Sequence, residues 1–149
     1  MSNAYDFENG TIAANLGFAY KDRGGCYRKE FTVDFSQQPA AGVAWGAGDT
    51  AKLLFIPAGT IILSVATYLI TAEGAALTIG IGDSAGATTF LSTNNLNTTL
   101  GTHVISPVSQ AGSLMKAYTA DDYLLMTLNN AAAHAKVNIV TIMFDVSIP

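Results

Sequence analysis

The pentapeptide Gly82-Asp83-Ser84-Ala85-Gly86 has the G-x-S-x-G spacing in which a serine can stand on a sharp turn as a nucleophile. Such an elbow needs a strand before it, a helix after it, and a histidine base oriented by an acid. Asp121 or Asp122, followed by His134, supplies that chain order. The residues beyond Gly86 point elsewhere. Thr88, Thr89 and Phe90 favour a strand, so the pentapeptide reads as an Asx-type hairpin turn. Asp121 and Asp122 are poor partners for general acid–base work, because consecutive residues of a strand face opposite ways and such chemistry asks two carboxylates to converge.

His103 and His134 are the only histidines, and neither sits in H-x-H or H-E-x-x-H spacing. Cys26 is the single cysteine, which excludes an intramolecular disulfide and any C-x-x-C zinc pair. Asn94, Asn95, Asn97, Thr98 and Thr99 form a polar run that could hydrogen-bond a sugar, but no group of aromatics accompanies it, and it reads as a solvated loop. No catalytic, metal-binding or cofactor-binding set emerges. The chain reads as a non-enzyme that needs no cofactor.

Its surface must then carry the function. Hydrophobic residues make up 50% of the 149 positions and charged residues 12%, about half the usual share. So few charges leave a lone domain poorly covered, which predicts burial against other subunits. The formal net charge of −4 argues against a nucleic-acid partner. One local exception stands out: Lys21, Arg23, Arg28 and Lys29 crowd into nine positions beside Gly24-Gly25-Cys26. This cluster suits a solvated strand edge or contact with an acidic protein surface. The longest apolar run, Ile61 to Ile70, is about half a membrane span, and the N-terminus has neither the basic start nor the apolar core of a signal peptide. A cytoplasmic product without a membrane partner is expected.

The elements that position these residues are strands. From Lys52 to Leu91, runs of β-branched and aromatic residues alternate with turns built from Gly, Pro, Asp and Ser. Cys26 to Phe35 alternates, with Tyr27, Lys29, Phe31, Val33 and Phe35 on one side, where only Lys29 breaks the apolar face. Arg28, Glu30, Thr32 and Asp34 lie on the other. Ile61 to Thr71 is apolar on both faces, as in a central strand covered twice. Asn129 to Lys136 reads as a turn, and Trp45, in the loop Ser36 to Asp49, as a lid on the core. About nine short segments predict an all-β, antiparallel, jelly-roll-like sandwich of eight to nine strands over residues 26–149. Residues 1–25 lack periodicity but carry Tyr5, Phe7, Ile12, Leu16, Phe18 and Tyr20, the anchors of an extended N-terminal arm that orders by docking.

The segments FIPAGTII, LTIGIGDSAGATTFLS, YLLMTLNNA and VNIVTIMFDVSI, over Lys52 to Pro149, resemble capsid decoration, or cement, proteins of tailed bacteriophages. "IPAGT" and "GDSAGATTFL" carry most of the likeness. The resemblance implies a jelly-roll homotrimer made in the host cytoplasm and seated on the virion surface. Its arm would reach over subunits of the major capsid protein. Lys21, Arg23, Arg28 and Lys29 then become candidate capsid contacts, chosen for position and charge. A phage-fibre or lectin-like carbohydrate-binding module is the alternative reading.

Overall fold

The computed structural model describes residues 4–6, 26–38, 42–97, 100, 103–107 and 116–145. Among them are ten strands and no helix: β1 (Ala4–Asp6), β2 (Cys26–Asp34), β3 (Thr50–Ile56), β4 (Thr60–Thr71), β5 (Thr78–Asp83), β6 (Gly86–Asn95), β7 (His103–Pro107), β8 (Lys116–Ala117), β9 (Asp122–Leu128) and β10 (Lys136–Asp145). Two sheets face each other, ordered β1-β3-β9-β5-β6 and β2-β10-β4-β7, with β8 added beside β4.

The pairing follows a nested scheme. β2 pairs with β10, β3 with β9, β4 with β7 and β5 with β6, all antiparallel. Folding one long hairpin over on itself produces this arrangement, which is the jelly roll expected from the sequence. The core lies between the sheets, where alternate residues project inward: Phe31 and Val33 from β2, Leu124, Met126 and Leu128 from β9, Val137, Ile139 and Met143 from β10. Trp45 closes one end. It is 2% exposed, donates its indole N–H to Gln37 O at 3.0 Å and meets Phe35 edge-on at 5.5 Å, so it is the lid its loop suggested.

β4 departs from simple alternation. Strict period two in β4 would put Ile61, Leu63 and Val65 on one face, yet Ile62 is buried together with Val65, Thr67 and Leu69. The register against β10 slips between Ile142 and Met143, and this bulge reverses the inward parity ahead of it. β6 runs on to Asn95, so Asn94 and Asn95 belong to a strand and not to the solvated loop. Ala4–Asp6 pairs parallel to β3, while the rest of the expected arm, and Thr98 and Thr99, lie outside the described residues. Asn129 to Ala135 links β9 to β10 as the turn its sequence indicated, and Lys136 already opens β10.

Candidate assembly surface

The G-x-S-x-G pentapeptide forms the β5–β6 hairpin turn, with a strand on each side. Gly82 is required there: a Cβ would lie 1.9 Å from Gly86 O. Asp83 turns inward, 2% exposed, and every side of its carboxylate is engaged. Oδ1 accepts from Ala85 N at 3.0 Å, closing the Asx turn, and from Thr89 Oγ1 at 3.1 Å. Oδ2 accepts from Tyr118 Oη at 2.7 Å and from Lys116 Nζ. Because β5 belongs to one sheet and residues 116–118 border the other, this ion pair latches the two sheets together. Burial pushes the Asp83 carboxyl up, but the bonds from Lys116, Tyr118 and Thr89, with the Lys116 charge, outweigh it and hold the group below its ordinary range. Burial, then the bond and charge of Asp83, push the Tyr118 hydroxyl well above the usual tyrosine range.

Ser84 is exposed and donates to Asp122 Oδ2 at 2.7 Å. Among the described side chains no imidazole joins them. Asp122 opens β9, whereas His134 follows the far end of that seven-residue strand, about 20 Å of chain away. Among the described residues the serine therefore has an acid beside it and no base, and His134 gives the elbow reading no geometry. His134 contributes its backbone N–H instead, to Glu73. Glu73 is 8% exposed and accepts from the N–H groups of Ala133, His134 and Ala135 at 2.8, 3.0 and 2.7 Å. It clamps the β9–β10 turn to the β4–β5 loop. Sequence reading missed it, and the only signal was a lone acid in the AEGAA turn between two apolar strands. Asn94 is also spent inside the sandwich, 3% exposed, donating to Thr67 Oγ1 on the opposing sheet. Among the described residues no three His, Cys, Asp or Glu side chains gather to hold a metal ion.

Of the basic cluster, Lys21 and Arg23 lie outside the described residues. Arg28 and Lys29 sit on β2, an outermost strand, and point to opposite faces. Arg28 registers with outward Ile142 and pairs with Glu30, whereas Lys29 registers with buried Thr141.

What remains is the outer face of the β2-β10-β4-β7 sheet. Register places Phe144 beside Ile61, Ile142 beside Ser64, Val140 beside Ala66 and Asn138 beside Tyr68. Tyr68 and Ile70 are 40% exposed and Ile142 is 36% exposed. A solvated sheet face is ordinarily polar, but the two central strands here are apolar on the outside as well. Glu30, Thr32 and Asp34 of β2 supply a polar rim. This combination is the anatomy of a protein-binding surface.

No protein-family model matches the chain, and no curated protein matches it. Solved structures do. A chain of the Cyanophage Pam1 capsid asymmetric unit superposes with a TM-score of 0.64 at 17% identity, covering 93% of this chain and 96% of that one. In the acid-stable capsid of Helicobacter pylori bacteriophage KHP30 the values are 0.59 and 13%, over 85% and 93% of the two chains. In the capsid of Ralstonia phage GP4 they are 0.61 and 15%, over 97% of each. At these identities the likeness establishes a shared fold over nearly the whole length.

Proposed function

We propose that this protein is a structural component of a tailed-phage virion, a decoration protein that binds the outside of the head and stabilises it. The observation that carries the reading is the fold shared, over 85–97% of this chain, with chains of three phage capsids. Coverage near 95% on both sides in two of them means that those chains have nearly this length, so no large extra domain separates them from this protein. The apolar outer sheet face suits a homotrimer, in which copies cover each other and three linked contacts convert weak docking into avidity. Among the described residues, Asp83, Glu73 and Asn94 are bonded inside the fold, which favours adhesion over catalysis.

The partner is the major capsid protein. Lys21, Arg23, Arg28 and Lys29 are its candidate contacts, and the edge position of β2 lets Arg28 and Lys29 present charge on both sides of one strand. A lectin-like module finds less support, because Asn94 is buried and bonded to Thr67. Co-sedimentation with purified heads lacking the protein tests the reading. Wild type should pellet with heads, and reversal of all four charges to glutamate should leave it in the supernatant. Wild type that never pellets would overturn the decoration role; a quadruple variant that pellets normally would overturn the basic contact alone.

A further inference from the structure

We propose that the outer edge of β3 is a strand-acceptor site, filled in the assembly by Ala4–Asp6 of a second copy of this chain. The inference rests on the oligomeric reading above and names the segment that ties the copies together. β1 pairs with β3 over only three residues, Ala4 with Thr50, Tyr5 with Ala51 and Asp6 with Lys52. Three parallel residues at an edge make too short a ladder to hold on their own. The ladder is therefore easily released and remade.

The connection is generous for closing onto its own sheet. β6 and β7 meet along one side of the sandwich, which leaves β1 and β2 as the outermost strands of the other side. Cys26, where β2 begins, registers with Phe144, and Phe144 with Ile61, just past the turn that ends β3. From Asp6 to Cys26 the path is about four residues along the strand, about 13 Å, and one sandwich thickness, about 10 Å. Six or seven residues would span it. The chain supplies residues 7–25, which extended reach about 60 Å, beyond the width of a domain this size. The same three pairings can thus be made on a neighbour.

Exchange costs nothing in contacts, because a neighbour's β3 is identical to the chain's own. What decides between them is effective concentration, and copies held side by side on a shell raise that of the neighbour's edge. An edge capped by a neighbour's strand also answers a hazard of every open sheet, uncontrolled pairing.

The test uses two full-length chains, each with Cys26→Ser and one new thiol: Ala4→Cys in one and Thr50→Cys in the other. Co-expressed, purified and mildly oxidised, they are run on a non-reducing gel while light scattering reports the oligomeric state separately. A disulfide heterodimer between the two chains is expected, because neither can close on itself. The pair Ala4→Cys with Thr93→Cys, on the far edge strand β6, should give none. An oligomer that yields no Ala4–Thr50 heterodimer, while a chain carrying both thiols closes internally, overturns the exchange and leaves the assembly reading intact. Equal cross-linking to Thr93→Cys overturns it too. A monomer without heterodimer overturns the exchange and the oligomer together.

Discussion

Asp83→Ala removes the acceptor at the centre of the inter-sheet latch, and its cost follows from what it orphans. The Asp83 side chain is fully buried and Lys116 is 27% exposed, so the pair sits in a desolvated pocket. Deleting one member of a buried pair ordinarily costs about 3–5 kcal/mol, because the other is left uncompensated. Lys116 can partly rehydrate, but Tyr118 Oη and Thr89 Oγ1 lose the carboxylate as well. We expect about 3 kcal/mol for Asp83→Ala, which at about 2–4 °C per kcal/mol lowers Tm by about 6–12 °C. Lys116→Met leaves a buried carboxylate with no cation and should cost at least as much. The double variant should cost clearly less than the sum, since removing both charges relieves the worst desolvation.

Trp45 is the assay. It is the only tryptophan, it is buried, and it bridges to Ala132 at the end of the sandwich away from the latch, so its fluorescence reports global unfolding. Urea titrations at fixed protein concentration give ΔG and m, and the concentration must be held because oligomers unfold by mass action. A loss below about 1 kcal/mol for Asp83→Ala at unchanged m, within the range of ordinary surface changes, would refute the latch.

The remaining expectations use the same logic. Below pH 4 the latch should weaken: Asp83 titrates below the ordinary carboxylate value of about 3.9, so its contribution is complete above that value and disappears as pH falls through the folded one. The raised Tyr118 hydroxyl acts at the other end, its contribution being present below about pH 10 and fading above it, so pH-dependent Tm should bend at both limits in wild type and less in Tyr118→Phe. Glu73→Gln should cost about 1–3 kcal/mol in urea unfolding, because one amide oxygen cannot replace two carboxylate oxygens for three backbone donors. Gly82→Ala should fail to give soluble folded protein on expression, whereas Gly74→Ala, with φ +79° but no atom within 4 Å of the added Cβ, should fold with a loss of about 1–2 kcal/mol. Ile70→Glu with Ile142→Glu should leave the monomer fold within about 0.5 kcal/mol yet abolish self-association in light scattering, since both side chains are exposed.

Period-two alternation made β2 legible, from Phe31 and Val33 inside to Arg28 and Glu30 outside, and turn chemistry marked the β3–β4 and β5–β6 corners. Gly59, with φ 86°, follows Pro57-Ala58 where the sequence demands a turn. Local pattern fails where long-range pairing decides. The slip opposite Met143 inverts the parity of Ile61 to Leu63, and nothing in IILS announces it, because either register buries an isoleucine. Asn94 and Asn95 look like loop residues by propensity, and they become strand because β5 offers partners at Thr78 and Ile79. In the basic cluster, a strand sends Arg28 and Lys29 to different faces, while Lys21 and Arg23 lie outside the described residues.

The chemistry-like motif misleads for a related reason. A pentapeptide such as Gly82–Gly86 is selected by a tight hairpin on the same terms as by a nucleophile elbow, since both need glycine where backbone crowds backbone and short polar side chains that bond their neighbours. The difference lies in whether any polar group stays unspent. Asp83 gives both its oxygens to four donors, and Ser84 gives its proton to Asp122. Catalysis needs groups whose bonds are completed by the substrate, and at Asp83 and Ser84 the fold completes them itself. The exposed apolar surface at Ile70 and Ile142 is instead suited to burial against another protein. On the proposed adhesive role, that asymmetry predicts that Ser84→Ala leaves capsid binding unchanged while the Ile70→Glu, Ile142→Glu pair abolishes it in the same sedimentation assay.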